Sequence, residues 1–287
     1  MKIAYLNDEY LPLEQARVSA LDRGFLFADG VYEVIPVYGG RLFRLDQHLD
    51  RLDGSLGGIR LANPLSRPQW RAVLARLVDM NGGGEQSVYF QVTRGAAAKR
   101  DHLFPASVPQ TVFAMSSPLK AIDSKWLQEG ATAITIPDIR WQYCHLKTIS
   151  LLPNVLMRQL ADDSGADEAI LIRDGLATEC TVSNLFIVKE GVIVTPPKSE
   201  YLLPGITRDL LLELAHRHGM PARERAIPET ELAAADEIWI TSSSKEVIPA
   251  THLNGRKVGD GRPGPVWRRM FDHYQEYKNR LIAGDAE

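Results

Sequence analysis

Little in this sequence speaks for a secreted, membrane-spanning or nucleic-acid-binding protein. Two cysteines, Cys144 and Cys180, in 287 residues are too few for a disulfide framework and fit a reducing compartment. No apolar run approaches the ~20 residues of a membrane-spanning helix. The opening MKIAYLNDEYLPLEQ interrupts its apolar residues with Asn, Asp and Glu, unlike a signal core or an arginine-rich transit segment. Basic residues do not dominate either: 33 Lys and Arg against 36 Asp and Glu give a formal charge of −3, so there is no electrostatic footprint for nucleic acid or an anionic membrane. Internal repeats and low-complexity segments are missing as well. These absences leave a cytoplasmic protein acting on small molecules as the expectation.

What is there is the make-up of a globular chain, 45% hydrophobic and 24% charged. Its length predicts two domains rather than one. In the first, VYEVIPVY, Gly39-Gly40 and RLFRL read as a hairpin with a glycine turn. Helices follow over LDQHLDRLDGSLGGI, with Asp46 as the expected cap, and SRPQWRAVLARLVDMNG, with Ser66 before Pro68. The strands SVYFQVTRG and TVFAMSS complete it. Periodicity lapses from Ser116 to Ser124, which places a first domain at 1–115, a linker at 116–124 and a second domain at 125–287. That second part reads as a strand (ATAITIPDIRW), a helix (TISLLPNVLMRQLADDSG), the strands DEAILIRDG, SNLFIVKEG, VIVTPP and EIWI, the helix ITRDLLLELAHRHG and a closing helix over GPVWRRMFDHYQEYKNRLI. Strands interleaved irregularly with helices predict an α+β fold rather than a doubly wound sheet.

Chemistry enters at Lys147, in YCHLKTISLLPN. A lysine amine serves as a Schiff-base nucleophile only when partly neutral, a form favoured by the uncharged surroundings this segment offers; a lysine snorkelling from a helix start would look the same. Glu179 opens ECTVSNLF. A carboxylate there suits the pyridine nitrogen of a pyridoxal ring, which withdraws electrons best when protonated, and equally suits a solvated turn. In LLPGITRDLLLEL a Pro-Gly turn runs straight into a helix, whose unpaired first-turn N–H groups attract anions; Gly205 permits close approach and Thr207 adds a hydroxyl. TSSSKE, at 241–246, is either a second wall of the same cup or a plain polar loop. His48, His145, His216, His218, His252 and His273 lack carboxylate or cysteine partners at metal-ligand spacing, so no metal is expected, and Asp162-Asp163 reads as a solvated helix end.

Taken in order, DRGFLFADGVYEV, HLDRL, YFQVTRG with RDH, DIRW with LKTISLLPN, ECTVSNLF, LLPGITRD and TSSSKEVIP resemble the class IV (fold-type IV) pyridoxal-phosphate-dependent aminotransferases, most closely the D-amino-acid (D-alanine) transaminases. The resemblance covers nearly the whole chain. It implies a cofactor, pyridoxal 5'-phosphate, in the cleft between a smaller N-terminal α/β domain and a larger C-terminal one, and a homodimer. It implies Lys147 as the Schiff-base lysine and Glu179 as partner of the pyridine nitrogen. Arg51, the backbone of Ile206, Thr207 and Ser243 would hold the phosphate, a task suited to a guanidinium fork. Tyr32, with Arg100 and His102 from the neighbouring subunit, would trap the substrate carboxylate; RGAAAKRDH runs one residue longer than the family pattern. The implied reaction moves an amino group between D-amino acids and 2-oxo acids. The alternatives in the same fold are (R)-amine and branched-chain L-amino-acid transaminases and aminodeoxychorismate lyase.

Overall fold

A computed structural model describes residues 2–285. The chain forms two compact units: one holds the residues up to Lys120, Leu146–Ser150 and those from Arg280 on, the other Ala121–His145 and Leu151–Asn279.

In the first unit, β1 (Ile3–Leu6), β2 (Glu9–Pro12), β3 (Gly30–Tyr38), β4 (Arg41–Leu42), β5 (Gln86–Thr93) and β6 (Thr111–Pro118) form a six-stranded sheet in the order β2-β1-β6-β5-β3-β4, antiparallel throughout. The expected hairpin is present: Gly39 and Gly40 both take positive φ, the conformation a two-residue turn matched to strand twist requires. Its second strand is short. Arg44 adopts a left-handed conformation as the N-cap of α2 (Leu45–Gly58), so the chain enters the helix two residues before the expected cap, Asp46. That carboxylate lies instead in the first turn, where the helix dipole favours it, and pairs with Arg71. Ser66 does cap α3 (Arg67–Met80), in a capping box with Gln69. Leu49, Leu52 and Leu56 of α2 and Trp70, Leu74 and Leu77 of α3 bury their side chains against Val31, Ile35, Val88 and Phe90 of the sheet, each contributing roughly 1.5–3 kcal/mol. A short helix, α1 (Arg23–Phe27), precedes β3; the Asp22 side chain caps it and also accepts from Thr93 and Thr111.

β6 stays paired with β5 as far as Pro118, into the stretch expected to be linker, and α4 (Ser124–Gln128) opens the second unit. There β7 (Ala131–Pro137), α5 (Leu152–Asp163), β8 (Glu168–Arg173), β9 (Leu176–Cys180), β10 (Asn184–Lys189), β11 (Val192–Thr195), α6 (Ile206–Arg217), β12 (Ala222–Glu224), β13 (Ile227–Pro228), α7 (Glu229–Leu232), β14 (Glu237–Ser242), β15 (Glu246–Leu253), β16 (Arg256–Lys257) and α8 (Pro265–Ala283) follow. The strands make one mixed ten-stranded sheet, β12-β11-β10-β14-β15-β7-β8-β9-β13, with β16 beside β15. The helix expected over TISLLPN starts only at Leu152. Pro153 sits in its first turn, which proline tolerates, whereas a helix begun at Thr148 would put the proline ring in its interior, against the carbonyl four residues earlier. Among the described residues no helix is long and apolar enough to cross a membrane.

Candidate active site

Lys147 is mounted by its backbone. Its N–H donates to Ser55 Oγ at 3.0 Å, and its carbonyl accepts from Tyr32 N at 2.9 Å while Ile149 N donates to Gly30 O at 3.1 Å. Leu146 fills the space that a Cβ on Gly58 would take. With the Cα fixed to β3 and α2, the amine lies 4.3 Å from the centroid of the Tyr32 ring, within cation–π range. Tyr32 in turn stacks on Tyr89 at 5.6 Å. Burial, with a smaller contribution from Tyr32, pushes the Tyr89 phenol up to about 12, so it stays neutral and donates to Gln91.

Arg51 engages the next residue of the same strand: its Nε and Nη2 each donate at 2.8 Å to the carboxylate of Glu33, which follows Tyr32 on β3. His48 Nδ1 lies 2.7 Å from the same carboxylate. His48 thus has a carboxylate partner in the fold, one that its sequence spacing did not reveal. Burial alone would raise the Glu33 carboxyl, but the Arg51 guanidinium and His48 draw it well below the usual carboxylate range. Burial lowers His48 against the pull of Glu33, which favours a neutral ring donating through Nδ1. The signal for Glu33 was in the strand alternation: it shares the inward phase of Val31 and Ile35, where a carboxylate must find partners or stay protonated.

In the second unit Glu179 is 5% exposed and faces three donors. Arg140 Nη1 makes an ion pair with Oε1, while Asn184 Nδ2 and Leu203 N reach Oε2, each at 3.1 Å. Arg140 is itself held by both oxygens of Asp138 at 2.9 Å and donates to the Tyr201 carbonyl. Burial pushes the Glu179 carboxyl up to about 7, against the downward pull of Arg140 and the Leu203 amide. The loop shape behind this comes from TVSN: Cys180 N donates to Ser183 O, and buried Glu168 accepts from the hydroxyls of Thr181 and Ser183.

Asn184 ties that carboxylate to the anion cup. It also donates to Leu203 O at 2.9 Å and pairs in register with Thr241, one strand residue before the turn that carries Ser243. Helix α6 begins at Gly205 with no side-chain cap, leaving the first-turn amides of Ile206 and Thr207 for an anion. Thr241 Oγ1 is buried without a hydrogen-bond partner, an orphan that a phosphate oxygen would satisfy. These donors fit a phosphorylated ligand. Gly205 has an ordinary φ of −70°, so its need for glycine is spatial: a Cβ there would fall on Asn184 Oδ1. Gly205→Ala is therefore expected to displace Asn184, cost about 1–3 kcal/mol of stability through overpacking and weaken cofactor binding at least ~10-fold (1.36 kcal/mol per decade); melting and a cofactor titration check both, and unchanged affinity would contradict it.

Arg100 and His102 are exposed but not loosely hung. The Arg100 guanidinium carbon lies 4.7 Å from the Phe27 ring centroid and the His102 ring 5.2 Å from it, whereas Tyr32 packs with Tyr89 and Lys147. Within one copy of the chain Tyr32 thus has one set of neighbours and Arg100 and His102 another.

Comparison with known proteins gives these features a family. Residues 30–253 match the class IV amino-transferases, and the chain belongs to that family: it is an aminotransferase, with the expected α+β fold. It is 41% identical to the D-alanine aminotransferase of Bacillus licheniformis over 287 residues, covering 100% of this chain and 99% of that one. It is 37% identical to that of Staphylococcus aureus strain COL, covering 96% and 98%. Among solved structures, the branched-chain amino acid aminotransferase of Escherichia coli superposes with a TM-score of 0.90 at 26% identity, covering 99% of this chain and 96% of that one. A second branched-chain amino acid aminotransferase, from T.th. and solved with pyridoxamine 5'-phosphate, does so at 0.88 and 26%, covering 99% and 94%.

Proposed function

We propose that this chain is a D-amino-acid transaminase, transferring the amino group of a D-amino acid of the D-alanine or D-glutamate type reversibly to a 2-oxo acid, with pyridoxal 5'-phosphate as cofactor. One observation carries the choice of substrate: 41% identity along the full length to a D-alanine aminotransferase, against 26% to branched-chain enzymes of the same fold. Bound cofactor supplies an aldehyde that bonds an amine and a pyridine ring that draws electrons from the carbon beside it. Lys147 is the residue that anchors it and, once released, carries the Cα proton of the donor on Nζ. Glu179 keeps the proton on the ring nitrogen, with Arg140 and Asn184 orienting the carboxylate. Arg51, the amides of Ile206 and Thr207 and the hydroxyl of Ser243 hold the phosphate. Tyr32, Arg100 and His102 hold the substrate carboxylate, the last two delivered by a second copy in a cytoplasmic homodimer. That copy is supported by apolar side chains left in water on each unit: Leu152, Val155, Leu156 and Leu160, at helical spacing along α5, in the second, and Phe25 and Leu103 in the first.

The test is a donor panel of D-amino acids, L-amino acids and (R)-amines, each with pyruvate and with 2-oxoglutarate. D-alanine and D-glutamate are expected to lead; a preference for branched-chain L-amino acids would overturn the reading. A further expectation concerns the trap. Arg100→Ala should lower kcat/KM for D-amino acids by ~10–100-fold, of order 1.5–3 kcal/mol for a charge-assisted contact, and affect carboxylate-free amines far less. Equal losses for both donor types, measured side by side, would remove Arg100 from the site.

A further inference from the structure

Arg23 belongs to none of the groups described so far, yet it is 4% exposed and its guanidinium is spent almost wholly on one loop. Nη1 donates to the carbonyls of Asp101 and Leu103, and Nη2 to that of His102. The face of the same guanidinium lies 4.8 Å from the Phe27 ring centroid, the ring on which Arg100 and His102 also rest. Its remaining edge, Nε, donates to Asp29 at 2.8 Å. Asp29 is gripped again by Arg94 at 2.8 and 3.0 Å, and Arg94 donates to the carbonyls of Ile59 and Arg60 and lies 3.7 Å from the Phe104 ring centroid, at the far end of the loop. Burial alone would raise the Asp29 carboxyl; Arg94 and Arg23 hold it below its ordinary value, so it remains an anion that fixes both arginines.

The base under this assembly is rigid. Arg23 N donates to Gly95 O, Asp22 bridges Ala96, and Asp22 locks α1 to Thr93 and Thr111. The short stretch from Ala97 to Arg100 spans these anchored points, with Lys99 paired to Asp101 at 3.2 Å and Arg100 against the Phe27 ring. A planar fork that meets three successive carbonyls sets a backbone path, which a lysine's single ammonium cannot reproduce. An aromatic face then fixes where the two exposed side chains stand.

We propose that Arg23, acting through the Asp101–Leu103 carbonyls and the ring of Phe27, is the positioning residue that places Arg100 and His102 and thereby sets the preference for donors that bear a carboxylate. This rests on the assignment of Arg100 and His102 to the carboxylate trap. Arg23 itself touches no substrate; its contribution is that the trap is already built when the donor arrives, so that binding does not have to order the loop.

The experiment uses the cofactor-loaded enzyme and three variants, Arg23→Lys, Phe27→Leu and Arg100→Ala, with D-alanine and (R)-1-phenylethylamine as donors. Arg23→Lys keeps a positive charge beside Asp29, and Phe27→Leu, at a half-buried site, keeps apolar bulk while removing the ring, so one variant remains informative should the other fail to fold. For both, KM for D-alanine is expected to rise about 10-fold with kcat within about twofold, the pattern of lost donor binding. The single-turnover rate with the amine and the absorption of the bound cofactor should be unchanged. Equal losses for the two donors, or a fall in kcat at constant KM, would overturn the proposal, and if amine turnover is undetectable the split between KM and kcat decides alone. Arg100→Ala separates the two layers. If it alters D-alanine KM while Arg23→Lys and Phe27→Leu do not, the positioning role is wrong and the trap survives; if it changes nothing, the trap itself is wrong.

Discussion

Lys147→Ala should fold, bind cofactor weakly and turn over no detectable substrate. Both backbone bonds that mount residue 147, to Ser55 Oγ and from Tyr32 N, survive the substitution, and the lost side chain is a half-exposed one leaning on an aromatic ring, so the fold has little reason to change. The chemistry loses twice: the covalent anchor goes, and so does the base that carries the donor's proton, a contribution of order 10²–10⁴-fold by itself. Multiple turnover is expected to fall more than about a thousand-fold. Circular dichroism and steady-state kinetics check the two halves of the statement. Borohydride treatment of the loaded protein, followed by peptide mapping, should place the cofactor on Lys147. Label on another lysine such as Lys245, or wild-type turnover by the variant, would refute the assignment.

The second large effect is at Glu179. An amide in its place cannot hold a ring nitrogen protonated to the same degree, and Glu179→Gln should slow the half-reaction at least ~100-fold, near 2.7 kcal/mol at 1.36 per decade, with cofactor still bound. Structure is not expected to fail, because Arg140 keeps both oxygens of Asp138. A pH profile adds a signature. A carboxyl raised to about 7 by burial is ionised above that pH and neutral below it, so its contribution is present on the alkaline side and lost as pH falls. The parent enzyme should therefore show an acidic limb that Glu179→Gln lacks. A loss of only about twofold, ~0.4 kcal/mol, would mean that another group serves the ring nitrogen.

How much of this was legible beforehand depends on how local the cause was. Ser66 with Gln69, the Gly39-Gly40 turn and the uncapped start of α6 at Gly205 are decided within a few residues, and the sequence displayed them. The entry to α2 was not, because a left-handed Arg44 has no composition signature and Asp46 looked the better cap. Nor was the partnership of Glu33, His48 and Arg51 legible. The spacing of His48 and Arg51 puts them on one helix face, but only packing of α2 on β3 reveals that the face looks at a buried carboxylate. Arg140 escaped for the same reason, since it meets Glu179 across 39 positions of the chain; Asn184 is only five positions away, at the start of β10, but the turn between them that brings its amide back to the carboxylate has no unambiguous mark in the sequence. DIRW and SNLF pointed at the right segments without saying what their polar residues hold.

The return of Leu146–Ser150 to the first unit has a consequence for how the protein is made. The bridge between Val31 and Thr148 joins positions more than a hundred residues apart, so an N-terminal stretch emerging from a ribosome can pair its own strands well before Lys147 has been synthesised. Only after the first strand of the second unit has left the exit tunnel does the chain double back to dock residue 147 against β3. Such late closure of a long loop is entropically costly and slow, and it leaves Lys147 to be docked late in the assembly of the first unit, ahead only of the residues from Arg280 on that join the same unit. A nascent chain stalled short of that point would have all six strands of the first sheet and, on the proposed role of Lys147, no amine to offer the cofactor aldehyde.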